Sequence, residues 1–185
     1  DFAMIMGFPG STSRYLTGDE VKQRMFHENE PRIAMRDVTL KIIREEMAKS
    51  EDIAIKYANK QARISNYWKN SIGMNKAIVD NKVVETKLAE EAEFKAWAEK
   101  NGKSEYVDVV EKINACVEEM NRTLYLTTVT SELIMNVEFI YRNLAKDNGK
   151  LLEKPETLEE TIKNIYNWLH ERDYIHDIDR RIAKE

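Results

Sequence analysis

From Thr17 onward, apolar residues recur at the three- and four-residue spacing of amphipathic helices. Thr17, with Glu20 three positions on, predicts a capping box that satisfies two free N–H groups at a helix start. Pro31 is placed to begin a second helix, where its missing N–H costs nothing. Ile33, Val38, Leu40, Ile42, Ile43 and Met47 give that helix a largely apolar face. Ser50 predicts the cap of a third, with Glu51 and Asp52 near its positive end. Ile53, Ile55, Tyr57, Ala58, Ala62, Ile64 and Trp68 carry this helix towards a stop at Gly73. A charged helix is expected from about Asn75 to Asn101, closed at Gly102 by a left-handed cap. Beyond Ser104, Tyr106, Val109, Val110, Ile113, Val117, Met120 and Leu124 keep helical spacing, as do Leu133, Ile134, Val137, Ile140, Tyr141 and Leu144. The hydroxyl-rich run Thr123 to Ser131 is the expected bend. Asn148-Gly149 ends this stretch, and Pro155 starts a last helix with Leu158, Ile162, Ile165, Tyr166 and Leu169 inward. The predicted fold class is all-α: an antiparallel bundle of long helices joined by short turns.

The first residues break the pattern. Asp1-Phe2-Ala3-Met4-Ile5-Met6 is a short apolar run closed by Gly7-Phe8-Pro9-Gly10-Ser11-Thr12, which predicts a strand entering a tight turn. A lone strand leaves backbone donors and acceptors unpaired, so it is expected to pair with sheet outside this chain. The chain also opens on Asp1 and closes on Ile182-Ala183-Lys184-Glu185 in mid-pattern. The expectation is therefore a piece of a larger protein: the end of a β domain over residues 1–16, and part of a helical domain over 17–185.

Composition narrows the classes. Among 185 residues, 42% are hydrophobic and 34% charged, with only 6 Gly and 3 Pro. That balance argues against a disordered chain, a membrane span and a loop-rich β-sandwich. The net charge of −4, in mixed signs, supplies no basic stripe for a phosphate backbone, so no nucleic acid is expected as partner. A single cysteine, Cys116, excludes an intrachain disulfide framework; beside Ile113, Val117 and Met120 it is expected to be a small buried hydrophobe.

Most candidate chemistry dissolves on inspection. His170 and His176 are six apart, on different faces of a helix, and His27 is remote, so no zinc site is expected. The glutamates from Glu85 to Glu99 lack the Glu-x-x-His pairs of a di-iron bundle and read as a solvated face. Gly7 to Thr12 lacks the Gly-Lys-Ser/Thr ending of a phosphate loop. Asn121-Arg122-Thr123 matches a glycosylation sequon but falls inside a predicted helix. No metal or cofactor is called for.

The run Ile64-Ser65-Asn66-Tyr67-Trp68-Lys69-Asn70 differs. Asn66 and Asn70 share a helix face beside Trp, Tyr and Lys, although helix interiors disfavour Asn. Two readings stand: a polar lining of a cleft, or a core Trp68 with asparagines ending the helix before Gly73.

Together with Met6-Gly7-Phe8-Pro9-Gly10-Ser11-Thr12-Ser13-Arg14-Tyr15-Leu16-Thr17 and Ile55-Lys56-Tyr57-Ala58-Asn59-Lys60, this run resembles bacterial serine dipeptidyl aminopeptidases, the family typified by dipeptidyl-peptidase 7 and dipeptidyl-peptidase 11. The resemblance is good from Met6 to about Trp97 and loose beyond. It implies a chymotrypsin-like double β-barrel interrupted by a helical domain that caps the active site. It implies release of dipeptides from free peptide N-termini in the periplasm of Gram-negative bacteria, by a Ser-His-Asp triad lying outside this segment. Residues 1–16 would then be the barrel's last strand and turn, and 17–185 part of the capping domain. The family's Asn-x-Trp-Lys motif reads Asn66-Tyr67-Trp68-Lys69, so the resemblance assigns Asn66 to the substrate's α-amino group, with Asn70 a weaker candidate. The implied partners are peptide substrates and the missing barrel; no membrane is expected, and a homodimer of the parent is left open. The P1 preference, acidic or hydrophobic, would be set in the barrel. The competing reading is a stand-alone helical interaction or scaffold module.

Overall fold

The computed structural model describes Met4, Gly7 and residues 13–137 and 176–185, and these are almost wholly helical. Apart from Met4 and Gly7, the strand and turn predicted over Asp1–Thr12 lie outside the described residues, as do the end at Asn148-Gly149 and the helix from Pro155. Six α-helices are described: α1 (Gly18–Gln23), α2 (Glu30–Met47), α3 (Glu51–Asp80), α4 (Val83–Lys100), α5 (Val109–Asn136) and α6 (His176–Lys184).

The capping box forms as expected. Thr17 accepts from the Glu20 N–H, and Glu20 accepts from the Thr17 N–H at 2.7 Å. Pro31 stands in the first turn of α2, as expected, although the chain before it is not a loop. A π-helical segment, Arg24–Asn29, joins α1 to α2 without leaving helical backbone angles, and the Glu30 N–H donates to the Met25 carbonyl five residues back. A proline inside an α-helix lacks one donor and crowds the carbonyl four residues before it. The wider π turn just upstream coincides with that proline, so the rod runs on.

Two predicted breaks do not occur where expected. α3 passes through Gly73, and the chain turns instead at Asn81 and Lys82, the latter left-handed at φ 50°. α5 passes straight through Thr123–Ser131. Ser50 stands at the α3 N-cap but makes no capping hydrogen bond with its side chain. Gly102, at φ +63°, does close α4 as predicted.

Side-chain pairings give the topology. Asn29 meets Asn75, Arg36 meets Ile64 and Asp37 meets Trp68, so α2 and α3 run antiparallel. Thr17 meets Asn114, Gln23 meets Asn121 and Arg36 meets Glu132, so α5 lies alongside the α1–α2 rod in parallel. α4 reaches back to α1, where Leu88 would stand 2.9 Å from a Cβ on Gly18 and Glu91 accepts the Gly18 N–H. The core lies where α2, α3, the end of α5 and α6 converge: Leu40, Ile42, Ile43, Tyr57, Ile64, Val137, Ile178 and Ile182. Each such side chain contributes about 1.5–3 kcal/mol by leaving water.

The predicted faces are only partly buried. Ile55 is 72% exposed, while Lys60 lies fully buried between Tyr57 and Ile64 in sequence. Cys116, expected inside, is exposed. The inner side of α5 mixes polar Asn114, Asn121, Thr128, Glu132 and Asn136 with half-buried Val117, Leu124 and Leu133, and it leaves Ile113, Cys116 and Met120 exposed.

Candidate functional site

The middle of α3 is gripped by α2. Arg36 donates from Nη1 to the Ile64 carbonyl at 3.0 Å, and its guanidinium lies 5.2 Å from the centre of the Tyr67 ring. Asp37 accepts from Trp68 Nε1 at 2.7 Å. Arg44 reaches Ser65 Oγ at 3.4 Å and lies over the Trp68 ring at 5.6 Å. Residues 64, 65, 67 and 68 are therefore each held by α2. Trp68 packs half-buried against the core, as one sequence reading required. The asparagines, by contrast, do not end the helix, which continues for ten residues past Asn70 to Asp80.

Asn66 and Asn70 are both exposed. Neither amide has a hydrogen-bond partner among the described residues, so two donors and an acceptor per side chain are available. An exposed carboxamide on a rigid turn can accept from an ammonium group or donate to a carbonyl; it cannot act as a general acid or base.

Asn70 also lines a cleft of about 290 Å³ with Arg24, Glu28, Arg32, Tyr67 and Glu132. Three arginines and two glutamates surround it once Arg36 is included. Glu132 accepts from Arg36 Nε at 2.7 Å and Nη2 at 3.0 Å, from Arg32 Nε at 3.2 Å and from Asn136 at 3.0 Å. Arg32 is shared with Glu28 at 3.0 Å. Sequence reasoning missed this network, which joins α2 to α5 across about a hundred residues. Asn66 is not among the residues lining the cleft but lies one turn before Asn70 on the same face.

His27 is half-buried and lines a second cleft between α1 and α5 with Asp19, Phe26 and Glu118. Among the described residues no group of three or more His, Cys, Asp or Glu side chains could hold a metal ion. His170 and the His176 side chain lie outside the described residues.

A family model described as Peptidase S46 matches residues 1–184. Dipeptidyl-peptidase 7 of Phocaeicola vulgatus is 49% identical over 191 aligned positions, which span 100% of this chain and 26% of that protein. The Asp/Glu-specific dipeptidyl-peptidase of Porphyromonas gingivalis is 31% identical, over 99% of this chain and 26% of its own length. The crystal structure of Porphyromonas endodontalis DPP11 matches with a TM-score of 0.77 at 26% identity, covering 96% of this chain and 26% of that one. Its complex with the dipeptide Arg-Glu matches with a TM-score of 0.75. The chain spans about a quarter of the length of the curated relatives it matches.

Proposed function

Because the chain belongs to the peptidase S46 family, we propose that it is the capping and substrate-anchoring helical part of a serine-type dipeptidyl peptidase. The relatives are named dipeptidyl peptidases, and one of the matching structures holds a dipeptide. In this reading the parent releases dipeptides from the free N-termini of peptides in the periplasm. Its Ser-His-Asp triad and oxyanion hole lie outside these residues, in a barrel that residues 1–16 leave and residues 17–185 cover. The chain alone would then hydrolyse nothing.

The observation that carries the anchoring role is the clamped turn: α2 holds residues 64, 65, 67 and 68, and the Asn66 amide between them is exposed and unpartnered among the described residues. An amide oxygen held so rigidly can accept from a peptide's α-ammonium without first losing side-chain or backbone freedom. Fixing that group sets how far along the peptide the scissile bond lies, which is how an anchor selects dipeptide release. Asn70, one turn on, extends the same polar face towards the cleft.

The test is Asn66→Ala in the full-length peptidase. A hydrogen bond to a charged group is worth about 1.5–3 kcal/mol, so kcat/KM on dipeptidyl substrates should fall roughly 10- to 150-fold. Helical circular dichroism should not change, because the side chain holds nothing in the fold. Unaltered kinetics would refute the role.

A further inference from the structure

One side chain holds the turn that presents Asn66 from two directions. The Arg36 guanidinium is buried, and its three nitrogens all donate: Nε and Nη2 to the two Glu132 oxygens, and Nη1 to the Ile64 carbonyl. Its face lies 5.2 Å from the Tyr67 ring centre. Ile64 and Tyr67 flank Asn66, so a single rigid plane touches α3 on both sides of the exposed amide. Glu132 is itself fixed by Arg32 and Asn136, which anchors the assembly in α5.

Stability does not account for such an arrangement. Burying an ion pair removes two charges from water, and a well-packed apolar pair of the same volume is often as stable or more so. What the guanidinium supplies is direction. A leucine at position 36 could press on α3 but could not fix its rotation or its axial register. Three donors in one plane, shared between a carboxylate on α5 and a helix carbonyl on α3, do both.

We infer that Arg36 is a positioning residue for Asn66: through Ile64 and Tyr67 it fixes the rotation of α3 that aims the Asn66 amide at the substrate's amino group. The inference rests on the anchoring role proposed above. Small displacements matter there, since a misplacement of about 1 Å at a positioning group can cost on the order of 100-fold in rate.

A double-mutant cycle in the full-length peptidase tests it. Arg36→Lys keeps the charge opposite Glu132 but cannot span both Glu132 and the Ile64 carbonyl. It should lower kcat/KM roughly 10-fold or more in the wild-type background. In an Asn66→Ala background the same substitution should cost less than about 2-fold, because residues acting through one another are not additive. A merely structural role would give the same loss in both backgrounds, and that result overturns the inference while leaving Asn66 as the anchor. No loss from Arg36→Lys overturns it as well. No loss from Asn66→Ala removes the anchor and the inference together. Should Arg36→Lys fail to fold, Glu132→Gln supplies the second cycle: it leaves one acceptor oxygen where the guanidinium had two, so it loosens the α5 anchor and should show the same dependence on Asn66.

Discussion

Glu132 accepts hydrogen bonds from three side chains while only 6% exposed. Removing it leaves the Arg36 guanidinium buried with no facing carboxylate. Breaking a buried pair from one side costs about 3–5 kcal/mol, far more than the intact pair contributes. Glu132→Ala should therefore lower the urea midpoint of the chain strongly. Glu132→Gln, which keeps an acceptor oxygen, should lower it by less than half as much. Equal losses for the two would mean that volume rather than hydrogen bonding sets the cost. Arg36 was within reach of sequence reading, because Arg36, Leu40, Ile43 and Met47 form one helical stripe with a charge where an apolar residue is expected. Its target was not, since Ile64 lies 28 residues away and is met only through the α2–α3 hairpin. Asn66 and Asn70 were visible for a local reason: they are poor helix formers beside aromatics.

Helices α1 to α5 show which local signals hold against packing. The Thr17–Glu20 capping box and the Gly102 cap appear where expected because backbone hydrogen bonding settles both locally. Gly73 predicts a stop and the Thr123–Ser131 run a bend, yet helix passes through both. A glycine costs a helix about 1 kcal/mol relative to alanine, less than one buried Ile or Leu returns, so the flanking contacts of α3 carry it past position 73. Gly73 therefore remains a weak link with room around it: a Cβ built there meets nothing within 4 Å. Gly73→Ala should stabilise the chain by about 1 kcal/mol, read as a higher urea midpoint with an unchanged slope. A destabilised variant would mean that the site needs backbone freedom at this position. The exposed Cys116 also reflects packing: α5 turns Asn114, Val117 and Asn121 towards α1 and leaves Ile113, Cys116 and Met120 exposed.

At the scale of the whole molecule, the last described helix returns to the first ones. α6 buries Ile178 and Ile182 against α2 and α3, and Asp179 pairs with Lys60 at 3.4 Å inside the core. At the rim, Arg181 donates to Glu45 at 2.8 Å and to Glu46. The hydrogen bond from Arg181 holds the Glu45 carboxyl below its usual 4.5; the bond from Lys49, with Arg181 adding to it, does the same for Glu46. Carboxyls depressed in the folded state add stability above their unfolded value of 4.5, and that stability is lost as pH falls through the lower folded values. Glu45 is exposed and Glu46 sits half-covered at the rim beside it, so the effect is modest and screened by salt. Docking of α6 should nevertheless weaken in acid, and Arg181→Ala separates this contribution from general acid unfolding. The urea midpoint should drop between about pH 6 and about pH 3 in both proteins, but by less in the variant, which has lost the Arg181 bonds by pH 6 already. Glu46 keeps Lys49, so a residual slope should survive in Arg181→Ala. An identical drop in the two proteins would show that the rim contacts do not couple α6 to protonation, leaving Ile178, Ile182 and the Lys60–Asp179 pair to hold it alone.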